Sequence, residues 1–432
     1  MTRRNPPAAW AAVVVLLLAA AAALLAAPST LSAPAAPAVP AVPQGSAEAT
    51  LEHLKALSQS IGPRAAGSAG DQRAIEYVAR EFEALGYTVQ RQSFPFHYFE
   101  EVQAPVLTVL GAAAERISPF TMLYSTSTPN AGIEAEVVAA GLGRREDFGG
   151  RQVEGKIALV ERGQIFFSEK VANAASAGAV AVLIYNNQPG PPAVGTLAGP
   201  SRIPAVAISR DDGQSLLRRA GTGPVRARLV VRTISEQRTS FNVIGVKRGA
   251  TLPGEVVVVG GHRDSVPVSP GANDNASGIA ATLEAARLLA RTRTARTLHF
   301  VAFGAEELGL YGSRFYAQNP PGTIVGMINM DMVGRGPLQV GNSNDDNRLV
   351  ELAEQVARRL GLRVTRFKLR GSSSSDHASF ESAGVPTAFI HTGDDPVIHT
   401  PNDTLERVDP ALMAQAATLA AQLALEIAGP VR

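Results

Sequence analysis

The sequence predicts an α/β fold: a sheet covered by helices on both faces, interrupted by a smaller β-rich insertion. Three observations carry this. The chain has 432 residues, against roughly 100–200 for a typical domain, so more than one folded unit fits. From Phe241 onward, continuous apolar runs alternate with segments of helical period, the pattern of strands buried on both faces. Between Pro119 and about Thr233 that alternation gives way to short β-rich stretches broken by Gly and Pro.

In chain order, Thr2-Arg3-Arg4 is followed by an apolar run from Ala8 to Ala27, the layout of an export signal with a positive start. The run of 20 residues also suffices for a membrane-spanning helix, although 11 of them are weakly apolar alanines. A cleaved signal and an uncleaved membrane anchor therefore both stand as readings of residues 1–27. Either way the folded part is expected to be exported: secreted, periplasmic or attached to the membrane through this segment. In residues 28–45, Pro34, Pro37, Pro40 and Pro43 recur every third position, which favours a polyproline II spacer.

From Ser46, Leu51, Leu54, Ala56 and Leu57 follow helical spacing, as do Ile75, Val78, Ala79, Phe82 and Leu85. Gly86 supplies a stop, and Tyr87 to Gln92 alternates like a strand. Residues 46–118 thus read as helix, helix, strand: the first part of the α/β body. The insertion, 119–235, holds strand-like runs at 156–160, 179–184 and 205–208 and one helix near 168–177. The second part of the body, 236–432, gives strands at 255–259, 298–303, 325–330 and 387–390, with helices near 277–290, 347–360 and 410–428.

Composition narrows the chemistry. Lys plus Arg is 40 and Asp plus Glu is 38, with no dense basic block, so nucleic acid is not the expected partner. Zero cysteines exclude disulfides, thiolate metal sites and Cys nucleophiles. Any metal must sit on carboxylates and on some of seven histidines: His53, His97, His262, His299, His377, His391 and His399.

The strand ends carry the ligand types. Gly261-His262-Arg263-Asp264 follows the strand at 255–259. Gly271-Ala-Asn-Asp274-Asn-Ala-Ser-Gly278 leads into a helix. Gly304-Ala-Glu306-Glu307 follows 298–303, Asp331 follows 325–330, and His399-Thr-Pro-Asn-Asp403 follows 387–390. Residues past strand carboxyl ends are where open α/β sheets place their sites. Histidine with carboxylate suits zinc, with manganese, cobalt or iron as alternatives. The number of acids points to two ions, one carboxylate bridging them. Of the adjacent pair Glu306 and Glu307, one can ligate while the other acts as base. The His262-x-Asp264 spacing lets Asp264 accept the other imidazole N–H. His299, within an apolar strand, reads as a core residue, and His53 and His97 lack an acidic context.

Three decoys fall away. Gly150 to Lys156 has phosphate-loop spacing, but Ile157 replaces the required hydroxyl and a strand follows. Gly141-Leu-Gly143 lacks the third glycine of a dinucleotide fingerprint. Ser375-Asp376-His377 cannot align as a triad from adjacent positions; the Ser372–Ser375 run reads as a loop near the site, with Asp376 and His377 structural.

Taken in order, Gly261-His-Arg-Asp-Ser265, Ala272-Asn-Asp-Asn-Ala-Ser-Gly278, Glu306-Glu307-Leu-Gly-Leu-Tyr-Gly-Ser313, Asn329-Met-Asp-Met332 and His399-Thr-Pro-Asn-Asp-Thr404 resemble the M28 family of zinc peptidases. The resemblance implies a three-layer zinc exopeptidase domain and two Zn2+ per chain. Asp274 would bridge, with His262 and Asp331 completing one site and Glu307 and His399 the other. Glu306 would be the general base, and Asp264 would orient His262. A cis peptide would fall at Asp274-Asn275. The insertion, through Glu154-Gly-Lys-Ile-Ala-Leu-Val-Glu-Arg-Gly163 and Ala179-Val-Ala-Val-Leu-Ile-Tyr-Asn-Asn187, resembles a protease-associated (PA) domain. The implied function is an aminopeptidase acting on peptide or protein substrates. A carboxypeptidase-like hydrolase or glutaminyl cyclase, and more remotely a non-catalytic receptor-like protein, share the fold. One departure stands out: relatives often carry an oxyanion-binding tyrosine where this chain has Ile398, leaving Tyr124 or Tyr316 as substitutes, or the metal acting alone.

Overall fold

The computed structural model describes residues 39–111, 114–150, 152–193, 195–197, 199–369 and 374–431. The expected signal or anchor and most of the spacer lie outside the described residues. The spacer's last residues are strapped onto the body: Val42 N–H donates to Gln422, Gly45 N–H to Thr418 and Ser46 N–H to Glu284.

Helix α1, Ala47–Leu54, starts where the Ser46 hydroxyl caps Ala49 N–H, and the wider turn Lys55–Ile61 ends at Gly62. Helix α2, Ala69–Ala84, is capped by Ser68 and buries Ala74, Ile75, Val78 and Phe82 on one stripe. Strand β1 then runs Thr88–Leu110, far beyond the six residues whose alternation marks it. Strands β2 (Glu115–Ile117) and β3 (Phe120–Thr121) are short, and β4 spans Ile133–Ala139.

The insertion continues with β5 (Ile157–Glu161), α3 (Phe167–Ser176), β6 (Ala181–Tyr185), β7 (Ala205–Ile208) and α4 (Arg210–Ala220). Strands β4 to β7 form a parallel array. Period-2 alternation gives it two buried faces: Leu159, Leu183 and Val206 on one, Val160, Val182 and Ile184 on the other. Helix α4 is hidden in the sequence because Leu216 is the one large side chain it fully buries.

Strand β8, Arg226–Lys247, pairs antiparallel with β1 from Thr88↔Val246 to Leu110↔Arg226, with a register shift between Glu101 and Val106. This ribbon runs from the body into the insertion without a break. Ser235, the expected end of the insertion, lies mid-ribbon opposite Phe99. The polar stretch Thr233 to Thr239 is laddered through its backbone against β1, whose Phe94, Phe96 and Tyr98 form a buried cluster.

The rest is the body: β9 (Leu252–His262), α5 (Ser277–Leu289), β10 (Arg296–Phe303), α6 (Tyr311–Gln318), β11 (Thr323–Met330), β12 (Gln339–Asn342), α7 (Arg348–Arg359), β13 (Thr365–Lys368), α8 (His377–Ser382), β14 (Thr387–His391) and α9 (Pro410–Ala428). Strand order is β13-β12-β14-β11-β9-β10-β8. The central four, β14, β11, β9 and β10, are mutually parallel, so their carboxyl ends lie side by side. Val256, Val258, Val301 and Phe303 pack against Tyr316 of α6 and Phe380 of α8. On the other face α5 and α9 pack on β9 and on each other, giving the three layers expected. Each buried Val or Phe in these strands contributes roughly 1.5–3 kcal/mol. Helix α9 is long and apolar enough to cross a membrane, but 72% of that stretch is buried inside the protein, which makes it a core helix.

Candidate metal centre

Four parallel strands deliver their ends to one cleft of about 920 Å³. His262 is the last residue of β9, Glu306 and Glu307 stand three and four residues past β10, Asp331 immediately follows β11, and His399 lies on the loop after β14. Asp274 comes from the irregular turn Ala272–Ala276 that opens α5, and its peptide bond to Asn275 is cis. Gly271, at φ +57°, starts that turn where a Cβ would lie 2.5 Å from the Asp274 carbonyl oxygen.

The turn is pinned from several sides. Asp403 accepts Asn273 N–H at 2.8 Å and Asp274 N–H at 3.0 Å. Asn275 ties it to β11, donating to the Met330 carbonyl at 3.0 Å and accepting from Gly278 N–H at 2.8 Å and Met332 N–H at 3.3 Å. Arg64 is fully buried and donates to the carbonyls of Arg263, Pro270 and Gly271, stapling the loop between His262 and Asp274. Sequence reasoning missed Arg64 because the partners that tie it to the site, Arg263, Pro270 and Gly271, lie about 200 positions away.

The ligand types converge as two groups around one carboxylate. Asp274 Oδ1 lies 3.2 Å from His262 Nε2, which is 3.3 Å from Asp331 Oδ1. Asp274 Oδ2 lies 3.1 Å from His399 Nε2, which is 3.1 Å from Glu307 Oε2. Glu306 Oε2 stands 4.0 Å from His262 Nε2, beside the groups rather than inside them.

His262 Nδ1 is 3.0 Å from the Asp264 carbonyl oxygen, so Nδ1 carries the hydrogen and Nε2 turns a lone pair toward two carboxylates. Asp331 Oδ1 and Glu307 Oε1 are buried without a hydrogen-bond partner among the described residues. Acceptors facing acceptors in a buried cleft require a cation or protons between them. Two ligand atoms ~2.0–2.1 Å from a tetrahedral zinc are ~3.3 Å apart, and the observed separations fit that donor set.

Without a cation, protons take the role. Hydrogen bonds to Asp274 and Glu307 lift the His399 imidazole to about 11. Burial opposes charge on His262, yet Glu306 and Asp331 hold its imidazole well above the ordinary range. Burial and the neighbouring Asp274 push Glu307 up to about 7. Burial, with Glu307 and Asp376 repelling, holds Glu306 well above the usual carboxylate range.

Asp264 takes a different part from the one its spacing predicts. Its backbone carbonyl meets His262, while its carboxylate stands 3.8 Å from the ring. The carboxylate instead accepts Glu306 N–H at 3.1 Å and Glu307 N–H at 3.3 Å, holding the loop that carries both glutamates. The spacing could not distinguish the two oxygens of one residue.

Around the centre, His391 donates from Nδ1 to the Asp331 carbonyl at 2.7 Å. His377 bonds Ser343 at 2.7 Å and stacks on Phe389. Asp376 is fully buried below the cleft, and burial lifts its carboxyl to about 7. Of the Ser372–Ser375 run, 372 and 373 lie outside the described residues, while Ser374 and Ser375 line the cleft. The remaining histidines have local partners: His53 bonds Tyr77, His97 bonds Ser235, and His299 bonds Tyr316 in the core. Ile398 lines the cleft, and neither tyrosine offered in its place does. Tyr316 is committed to His299, and the Tyr124 hydroxyl donates to the Leu308 carbonyl.

Residues 242–424 match the family described as Peptidase family M28, and residues 128–216 match the PA domain. The aminopeptidase YwaD of Bacillus subtilis (strain 168) is 34% identical over 385 residues, which cover 85% of this chain and 81% of that one. The chain belongs to peptidase family M28. Among solved M28-like structures, the aminopeptidase from Aneurinibacillus sp. strain AM-1 superposes with a TM-score of 0.80 at 35% identity, covering 90% of this chain and 95% of that one. BSAP, a zinc aminopeptidase from Bacillus subtilis, gives a TM-score of 0.71 at 33% identity over 90% and 96% of the two chains. This M28 chain is therefore a metallopeptidase with zinc as its metal and a PA domain as its insertion.

Proposed function

We propose that the chain removes single residues from the free amino end of peptides, using two zinc ions that share Asp274. It is an exopeptidase with an aminopeptidase role, as its relatives at 34–35% identity over most of the chain support. The observation that carries the two-ion reading is that the two oxygens of Asp274 face separate His–carboxylate pairs. His262 and Asp331 would hold one ion, Glu307 and His399 the other, and Asp274 both. Zinc held there supplies Lewis acidity to a peptide carbonyl and lowers the pKa of a water toward 7.

Glu306 serves the proton. Its carboxylate stands in the cleft, outside both ligand groups and within 4.0 Å of His262. It takes the proton of the attacking water and returns it to the departing amine, completing hydrolysis with no net proton change. Asp264 keeps Glu306 and Glu307 in fixed relation through their backbone N–H groups.

The substrates are peptides or protein termini, and the N-terminal apolar run supports an exported enzyme, released or membrane-attached according to whether that run is cut. The test is a panel of paired peptides, free-amine and N-blocked, incubated with the zinc-loaded chain. Release of residues from free-amine peptides alone is expected; equal cleavage of the blocked set would overturn the aminopeptidase reading.

A further inference from the structure

The inserted domain meets the glutamate loop at a hydrogen bond. The loop between β10 and α6 carries Glu306 and Glu307 through an irregular path. Ala305 (φ 56°) and Leu310 (φ 60°) are both left-handed without being glycine. Such residues cost about 1–3 kcal/mol each and persist only where the surroundings over-determine them. From the body side, the Asp264 carboxylate holds the loop's N–H groups at Glu306 and Glu307. The Glu306 carbonyl accepts Gly309 N–H and Leu310 N–H within the loop itself, while among the described residues no group of the body hydrogen-bonds the Leu308 carbonyl.

The insertion supplies that restraint. The Tyr124 hydroxyl donates to the Leu308 carbonyl, and the Leu308 side chain packs against the insertion's buried cluster of Met122, Tyr124, Val160 and Val182. Tyr124 is itself firmly placed. It is 2% exposed, its ring meets His97 and Phe99 of the β1 ribbon at 5.7 Å each, and its carbonyl accepts Ser201 N–H at 3.0 Å. Its backbone is also left-handed, at φ 70°. Burial keeps its phenol protonated far above the usual range, so the donor persists at any working pH.

We propose that Tyr124 is a positioning residue of the peptidase reaction: its hydroxyl, held by the inserted domain, fixes the Leu308 carbonyl and with it the placement of Glu306 and Glu307. The proposal rests on the reading of Glu306 as base and Glu307 as ligand. Without that bond the Leu308–Gly309 peptide keeps only its Gly309 N–H to Glu306 carbonyl bond at 2.8 Å, a link within the loop, so the loop that carries Glu306 and Glu307 loses its tie to the insertion and its placement loosens. The insertion is then part of the catalytic scaffold, in addition to forming one wall of the cleft through Leu123 and Gly195.

The test compares Tyr124→Phe, which keeps the ring and its packing, with Leu183→Ala, which damages the insertion's core on its far face. For Tyr124→Phe, kcat on a free-amine peptide is expected to fall about tenfold, the equivalent of one neutral hydrogen bond, with KM nearly unchanged. In the metal-free chain, amide hydrogen exchange of segment 304–310 should speed up by a similar factor, while Leu183→Ala lowers the melting temperature but keeps wild-type kcat and loop exchange. Wild-type kcat and exchange in Tyr124→Phe would overturn the proposal. So would the same effects in Leu183→Ala, or a loss of kcat without faster exchange, which would move the role of Tyr124 to the substrate. The exchange arm needs neither metal nor activity, so it reads the clamp even if the peptidase reading itself fails.

Discussion

At Asp274 one side chain faces two imidazoles, 3.2 Å from His262 and 3.1 Å from His399, and its neighbours Asn273 and Asn275 are committed to holding it there. Every polar residue of the Asn273-Asp274-Asn275 run has a named partner; in the sequence the run alone reads as a helix cap, and only its order among the other strand-end motifs marked it as a site. The part played by Asp264 was legible only by half, since spacing cannot say whether the carbonyl or the carboxylate meets the ring. Glu306 gives the sharpest expectation at this scale. Glu306→Gln preserves volume and leaves both ligand groups intact, so zinc content should stay at the wild-type level. Its kcat should fall by about 10²–10⁴, the range of a lost general base. Steady-state kinetics alongside metal analysis check this, and full activity would refute the role.

Among the elements, the parallel strands were the most legible, because runs such as Val256 to Val259 are buried on both faces and need no partner to be recognised. Helix α9 keeps its expected bounds because Asp409 caps it, Pro410 opens it and Gly429 closes it. Strands β12 and β13 escaped notice: they are four residues each, and β13 has three of its four exposed or charged at the sheet edge. The ribbon of β1 and β8 escaped because its middle is held by backbone pairing rather than by an apolar pattern. The contact that positions Asp331 is equally invisible in sequence. Gly278, in the first turn of α5, sits where a Cβ would come within 2.2 Å of the Met330 carbonyl, so the helix start and the end of β11 touch through bare backbone. Gly278→Ala should therefore destabilise the chain by about 1–3 kcal/mol and weaken zinc binding together. Urea unfolding and zinc titration of the same variant check both arms.

For the whole molecule, two buried histidines set an acid limit. Burial pulls the His299 and His377 imidazoles down to about 4, whereas an unfolded histidine titrates near 6.5. As pH falls below about 6.5 the unfolded chain takes up these protons first, so each contribution is complete above that pH and is lost as pH falls through about 4. The loss amounts to about 3 kcal/mol for each. Removing one sensor should flatten the profile: His299→Gln is expected to lose less stability between pH 6.5 and 4.5 than the wild type in urea melts, whatever its stability at neutral pH. The same burial of charged and polar groups surrounds the metal centre, where the carboxylates of Asp274, Glu306, Glu307 and Asp331 face the imidazoles of His262 and His399 and need cations or protons to coexist. The most direct measurement is therefore the zinc content of the wild-type chain and of Asp274→Asn after dialysis against equal free zinc. About two ions per wild-type chain, and near-complete loss of both in Asp274→Asn, are the results the shared-carboxylate centre predicts; one ion in the wild type, or an Asp274→Asn chain that keeps its zinc, would contradict it.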